Sequence, residues 1–305
     1  MPAATDPVAP LPPALRDAIL SWYDQTGRPL AFRATRDPYA ILVSELMAQQ
    51  TQAARAAEAW SRWMARFPTV RVLAEAPVAD VLRAWAGLGY NRRALLLHRA
   101  ANAIVADHGG EVPSTVDGLR SLPGVGPYTA RAVAAIAFGL RVGAVDTNVR
   151  RVLGRLVAGG AEAMTPGRLQ DLADAVVPAG RPADWTHALM DIGARRCRPR
   201  APRCPECPAV RWCRYAAGER PVPAIARPAG PRRPVQPFPS TTRWLRGRIL
   251  ARVRDTEDGG WARFGDAIGS HPPHAVREAV AALVTEGLLE ARDTADGPEA
   301  RLPGA

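Results

Sequence analysis

The stretch Leu122-Pro123-Gly124-Val125-Gly126-Pro127-Tyr128-Thr129-Ala130 decides how this chain of 305 residues is read. Before it, Ser114 to Arg120 has the pattern of a short helix; after it, the alanine-rich run Thr129 to Gly139 predicts a second helix. Two glycines between them make a tight turn, so the segment predicts a helix-hairpin-helix. Gly124 and Gly126 are expected to take backbone angles closed to other residues and to leave no side chain over their N–H groups. Free N–H groups at a helix start attract anions, and in a basic chain the natural anion is a DNA phosphate. A helix-turn-helix corner that uses glycine only for packing is the alternative reading of this motif taken alone.

The charge balance supports the first reading. The chain carries 40 basic and 29 acidic residues, net +11, and such a field favours polyanions while saying nothing about fold. Every basic residue is arginine, so no lysine Schiff base can form anywhere in the chain. At 47% apolar residues a core is easily buried, and strand-favouring clusters are scarce, which predicts an all-α fold. No apolar run is long enough to span a membrane, and residues 1–13 lack the features of a signal peptide; the expected location is cytoplasmic, nucleoid-associated through DNA binding.

The chain divides by composition and pattern. Residues 1–13 are Ala/Pro-rich and expected to be disordered. Residues 14–140 form a helical domain that includes the hairpin, with a first helix over 14–27; residues 141–216 form a cysteine-bearing domain; 217–240 is a Pro/Arg-rich linker; and 241–305 is a small winged-helix-like module with helices beginning near Trp244 and spanning His274 to Leu289. Within the first domain a long helix is expected from Pro38 through Phe67. It carries Glu45 inside the apolar run Ile41-Leu42-Val43-Ser44-Glu45-Leu46-Met47. A carboxyl in such surroundings tends to have a raised pKa and can donate a proton. The alternative is a helix face turned to water. Further helices are expected over Val78–Ala86, from Arg92 to Gly109, and over Leu169–Val177 and Trp185–Ala194. Asp146 precedes another helix as a preferred capping residue, a role compatible with catalysis. The cysteines Cys197, Cys204, Cys207 and Cys213 lie within one short loop among seven arginines, and their spacing leaves both zinc and an iron-sulfur cluster open, with the cluster favoured.

Together, Ser44 to Gln52, Gly87 to Tyr90, Leu122 to Ala130, Val145 to Arg151, Met190 to Ala194 and the cysteine spacing resemble the helix-hairpin-helix DNA glycosylases of the endonuclease III superfamily. Within it they are most similar to the MutY-type adenine glycosylases, and the tail looks like a short-tailed branch without a Nudix-like domain. The resemblance covers about residues 15–215. It implies a six-helix barrel domain plus an iron-sulfur domain, onto which helix 14–27 packs, and one [4Fe-4S] cluster on the four cysteines. It implies that Glu45 protonates the adenine ring, that Asp146 stabilises an oxocarbenium-like sugar or adds to it, and that Tyr128 positions Asp146 by a hydrogen bond. Lyase-competent relatives have lysine where Tyr128 stands, so a monofunctional hydrolase is expected.

The same resemblance assigns DNA binding to Gln50, Asn91, Arg92, Gly124, Val125 and Gly126, and the base pocket to Arg28, Leu30, Phe32, Arg33 and His187. The implied substrate is double-stranded DNA with adenine mispaired with 8-oxoguanine or guanine, acted on by a monomer away from membranes. Several pocket positions depart from the family pattern. Leu30-Ala31-Phe32-Arg33 replaces Leu-Pro-Trp-Arg, His187 stands where Gln or Glu is usual, and Asn91 follows Tyr90 in place of a second tyrosine. Two alternatives follow: a thymine or uracil mismatch glycosylase, which Thr35 to Tyr39 and the Tyr128/Asp146 pair also resemble, and a non-catalytic DNA-binding module, against which the retained acids argue.

Overall fold

A computed structural model describes residues 11–219, 236–256 and 259–304. Most of the expected N-terminal tail and of the Pro/Arg-rich linker lies outside these residues. In chain order the helices are α1 (Pro13–Thr26), α2 (Pro38–Ala48), α3 (Ala53–Arg66), α4 (Val70–Glu75), α5 (Val78–Ala84), α6 (Arg92–Asp107), α7 (Val116–Ser121), α8 (Pro127–Ala137), α9 (Thr147–Ala158), α10 (Pro166–Ala175), α11 (Pro182–Arg195), α12 (Thr242–Arg254) and α13 (Pro273–Thr285). The strands β1 (Ala262–Arg263), β2 (Glu290–Thr294) and β3 (Gly297–Arg301) form one small antiparallel sheet in the order β1-β3-β2. The fold is helical as expected, with the sheet confined to the C-terminal module, where helix, strand, helix and hairpin follow one another as in a winged helix.

The chain resolves into two compact units, and the division falls inside α2, after Glu45. The first unit holds the described residues through Glu45, then Pro113–Ser121 and the segment from Val125 through the cysteine loop. Its core joins Leu15 and Ile19 of α1 to Val152, Leu153 and Leu156 of α9, Leu169 and Leu172 of α10, and Trp185, Leu189 and Ile192 of α11. The spacing of Leu15 and Ile19 puts both on one face of α1, where both are fully buried; each side chain so buried contributes about 1.5–3 kcal/mol. Cys197, Cys207 and Cys213 pack against this same core. The second unit holds Leu46–Val112, Leu122–Gly124 and the C-terminal module. In it α4 and α5 pack on α6, and Trp63, Phe67 and Trp85 meet edge to face.

Three local differences from the sequence reading have physical causes. The helix expected from Pro38 through Phe67 is broken at Gln49 to Gln52, with Gln50 left-handed at φ 54°. Arg93 makes the break stable. Its guanidinium, 8% exposed as a residue, donates to the carbonyls of Leu46 (2.8 Å), Met47 and Gln49 at the end of α2 and to those of Leu88 and Gly89 in the following loop. Those helix-end carbonyls lack partners within the helix, so a cation with several donors is the natural cap. The helix expected through Leu289 stops at Thr285, because Glu286-Gly287 turns the chain (Gly287 φ 75°) into strand β2. In the hairpin only Gly124 uses the glycine-favouring region (φ 80°), and a Cβ there would press on Leu96 at 2.7 Å. Gly126 caps α8 with ordinary extended angles (φ −83°, ψ 174°) and open space around it. Its use is the bare approach to the α8 N-terminus, not backbone freedom.

Candidate active site

Three chain segments bring Glu45, Tyr128 and Asp146 into one electrostatic group in the first unit. α2 delivers Glu45 as an 8% exposed residue behind Ile41 and Leu42. α8, started by Pro127 at its first position, places Tyr128 in its first turn. Asp146 caps α9: one carboxylate oxygen accepts from the Val149 N–H (2.7 Å) and the other from the Asn148 amide (2.9 Å).

Burial raises the Glu45 pKa to about 7. A hydrogen bond from Tyr128 opposes the rise, the charge of Asp146 adds to it, and Arg33 opposes it. The phenol itself stays protonated, since burial and the two neighbouring acids push its pKa well above the ordinary value. The hydroxyl bonds Glu45 and approaches the Met190 sulfur at 3.9 Å. The expectation that Tyr128 holds Asp146 is therefore corrected: Asp146 takes its hydrogen bonds from the start of its own helix.

Asp146 is held through further contacts. Arg151 donates to the Asn148 side-chain oxygen (2.8 Å), to the Gly193 carbonyl (2.7 Å) and to the Cys197 carbonyl (2.6 Å). A Cβ on Gly193 would meet the Asn148 Cβ at 2.5 Å, so glycine is what lets α11 approach the start of α9 this closely.

Two of the residues expected at the base pocket, Arg28 and Arg33, bind an acid that sequence reasoning did not single out, and His187 feels its charge. Asp191 is completely buried. It accepts from the Arg28 backbone N–H (3.0 Å) and Nε (2.6 Å), and from both terminal nitrogens of Arg33 (2.9 and 2.8 Å). Burial alone would raise its pKa, but the bidentate Arg33 and the Arg28 contacts win, and the pKa falls below the usual carboxylate range. The Nε of Arg33 is buried with no partner among the described residues. His187, 5% exposed, is kept neutral: burial first and the charge of Arg33 second push its pKa down to about 3. A neutral imidazole both donates and accepts, as needed to face a base edge. Leu30 and Phe32 are partly buried near Arg33 in the chain, Leu30 just before and Phe32 on the single helical turn Ala31–Arg33. The signal for Asp191 was the one that marked Glu45, an acid within an apolar helix segment, here Leu189-Met190-Asp191-Ile192.

The four cysteines are free thiols that line one cavity. Burial raises the Cys207 thiol to about 11, and the other three add to the effect, so the four lie within one another's field. Among the described residues no three His, Cys, Asp or Glu side chains are close enough together to hold a single metal ion. Four sulfur donors around one cavity are the donor set of a thiolate-bound metal group. Arg155 braces the loop through the Arg198 and Pro199 carbonyls (2.9 and 2.8 Å), while Arg198, Arg200, Arg203, Arg211 and Arg214 face solvent. The other expected DNA-binding side chains, Gln50, Asn91 and Arg92, belong to the second unit, as does Gly124. Val125 is 7% exposed and offers its backbone alone.

The family model described as HhH-GPD superfamily base excision DNA repair protein matches residues 43–179, the span that contains Glu45, Tyr128 and Asp146. Over 281 residues the chain is 41% identical to an adenine DNA glycosylase of Mycolicibacterium smegmatis, covering 92% of this chain and 93% of that protein. The chain belongs to the HhH-GPD superfamily. Another relative, an adenine DNA glycosylase of Mycobacterium tuberculosis, is 46% identical over 78% of each chain. The human adenine DNA glycosylase is 43% identical over 61% of this chain but only 36% of its own length, so that likeness does not extend over most of the human protein. Among solved structures, a thermostable thymine-DNA glycosylase superposes with a TM-score of 0.63 at 32% identity, over 67% of this chain and 95% of that one. An endonuclease III trapped on DNA superposes with a TM-score of 0.58 at 24% identity, a likeness of fold. An HhH-GPD protein binds DNA, and the exposed arginines and the bare α8 N-terminus suit that partner. No helix among the described residues is long and apolar enough to cross a membrane.

Proposed function

We propose that this HhH-GPD protein is a monofunctional adenine DNA glycosylase acting, as a monomer, on adenine paired with 8-oxoguanine or guanine in duplex DNA. The observation that carries the reading is Glu45, buried and hydrogen-bonded to Tyr128 with a pKa of about 7, in the same group as Asp146. An ordinary glutamic acid is almost fully ionised at neutral pH; this one remains a usable acid. The target base must first leave the stack to be reached. Glu45 then gives its proton to a ring nitrogen, the N-glycosidic bond breaks with its electron pair going to the base, and the charge of Asp146 faces the oxocarbenium-like sugar. Water adds to the sugar carbon and its proton returns to the Glu45 carboxylate. The two acids divide the work as in glycoside hydrolysis, one protonated and one charged.

His187, neutral, suits the edge of adenine, which offers both a donor and an acceptor. The Arg28–Asp191–Arg33 cluster holds the pocket wall. Val125 and Gly126 direct backbone N–H groups at phosphate, and Gln50, Asn91 and Arg92 are the DNA contacts of the second unit. Cys197, Cys204, Cys207 and Cys213 would hold one [4Fe-4S] cluster, whose iron–sulfur bonds would pin the arginine-rich loop. With Tyr128 in place of a lysine, the strand is left uncut.

Base release is measured on duplexes with a single adenine opposite 8-oxoguanine, adenine opposite guanine, thymine opposite guanine or uracil opposite guanine, alkali revealing abasic sites. Release from the adenine duplexes alone, with no strand break before alkali, is expected. Release from thymine or uracil alone overturns the adenine assignment in favour of a mismatch glycosylase, the reading that the 32% identical thymine-DNA glycosylase keeps in view. The Asp146→Asn variant is expected to bind duplex and release no base; loss of binding instead would make Asp146 structural.

A further inference from the structure

A buried cation needs an anion close by, and beside the cysteine cavity two arginines are short of one. Arg155, on α9, is 9% exposed, and among the described residues its guanidinium has no carboxylate partner. Two of its nitrogens go to the Arg198 and Pro199 carbonyls, and its terminal carbon stands 4.5 Å from the centre of the Tyr215 ring. These partners fix the group but carry no charge. Its remaining contact is with the cavity: one N–H donates to the Cys197 sulfur at 3.4 Å.

Arg196 lines the same cavity. One terminal nitrogen pairs with Glu206 at 2.8 Å, on the turn Cys204–Glu206 that leads into Cys207, while its Nε is buried with no hydrogen-bond partner among the described residues. Arg151 differs from both, since it reaches Cys197 only through the backbone carbonyl. A cysteine bound to metal is a thiolate and accepts hydrogen bonds, so four such sulfurs supply the countercharge that the two buried guanidinium groups lack. Hydrogen bonds to the sulfurs and positive charge beside them favour the reduced state of an iron-sulfur group.

We propose that Arg155 and Arg196 supply the positive charge for the metal group of the four cysteines, Arg155 through its hydrogen bond to the Cys197 sulfur and Arg196 through its Nε, and that they thereby hold the group against oxidation and loss. They are positioning residues that act through the cysteines. That the group is an iron-sulfur cluster rests on the reading above; the pairing of two buried cations with four thiolates does not.

The test compares the full chain as wild type, Arg155→Gln, Arg196→Gln, Arg155→Lys and, as a solvent-facing control on the same loop, Arg200→Gln, all without DNA. Iron and zinc per chain are measured first. The midpoint potential for loss of one electron to ferricyanide, which becomes ferrocyanide, and the rate at which a chelator strips the metal follow. Each of the two buried-site glutamine variants is expected to favour the oxidised state about tenfold more than wild type, a fall of about 59 mV for one electron. Each should also lose metal about 10–100-fold faster. Arg155→Lys keeps the charge and should lie nearer to wild type than Arg155→Gln, and Arg200→Gln should match wild type. An unchanged potential in either buried-site glutamine variant overturns the assignment for that residue, and an equal fall in Arg200→Gln overturns it for both. If Arg155→Gln emerges without metal, Arg196→Gln decides, because its side-chain tie is the ion pair to Glu206. Zinc without iron in the wild type would end the cluster reading alone. The charge pairing is then judged by chelator release: faster loss from the glutamine variants keeps it, and equal loss overturns it.

Discussion

Glu45 and Asp191 lie in the same unit, both buried within apolar helix segments, and their pKa values move in opposite directions. Asp191 faces two guanidinium groups that supply charge and geometry together, so it stays ionised at the cost of burying its own charge and that of Arg33, with Arg28 partly exposed. Glu45 has one neutral phenol and the repulsion of Asp146, and its pKa rises to about 7. Burial alone does not make an acid functional; what matters is whether the surroundings provide a matching cation. On the proposed function, the Asp191 region acts as a scaffold and the Glu45 region supplies the proton.

The comparison breaks most visibly with Glu45→Gln. Base release should fall about 10²–10⁴-fold, the usual contribution of a general acid, in single-turnover assays. Its stability should move the other way. The folded pKa of Glu45 is raised, so this group costs nothing below its unfolded pKa, and the penalty grows as pH climbs from about 4.5 through about 7. Above that window denaturant melts should show Glu45→Gln more stable than wild type, by up to about 3 kcal/mol; equal stability at every pH would mean Glu45 is not held protonated by the fold.

Asp191→Ala is expected to lose about 3–5 kcal/mol in the same melts, because two cations are left without their counter-charge. The wild-type contribution of Asp191 has the opposite pH sense, present above the unfolded pKa of an aspartate and lost as pH falls through its lower folded value. A near-neutral Asp191→Ala would erase the distinction between the two regions.

The smallest effect sharpens the comparison from the side of Tyr128. Wild-type kcat/KM should decline as pH rises above about 7, as Glu45 loses its proton. Tyr128→Phe removes a hydrogen bond that favours the ionised carboxylate, so the decline should begin at higher pH. A shift to lower pH would show that the phenol stabilises the protonated acid instead.

Much of the site was legible in the chain because its signals are local. Asp146 directly precedes Thr147-Asn148-Val149, and a capping aspartate is recognisable within four residues. Glu45 stands out inside its apolar run, and the hairpin is marked by its glycines. The cysteines crowd into one loop, which identified them as a set. What escaped depends on distant partners. Nothing near Arg28 or Arg33 points to Asp191, which lies on α11 far along the chain. The break after Ala48 escaped because Gln49-Gln50-Thr51-Gln52 contains no proline or glycine, and the cation that stabilises it, Arg93, comes from the start of α6. The phenol of Tyr128 feels the charge of two acids, and only the fold shows that its hydrogen bond goes to Glu45.

The Arg93 cap has one more consequence. Helix ends and tight turns ordinarily relax by putting glycine at the left-handed position; here Gln50 and Tyr90 occupy such positions, at a cost of about 1–2 kcal/mol each. Arg93, bonded to carbonyls on both sides, absorbs that cost in one guanidinium. The second unit is thus tuned away from its own most stable sequence. A selection for thermal resistance alone should drift toward glycine at residues 50 and 90, and the proteins it yields would keep the fold while giving up the two side chains the chain is strained to present.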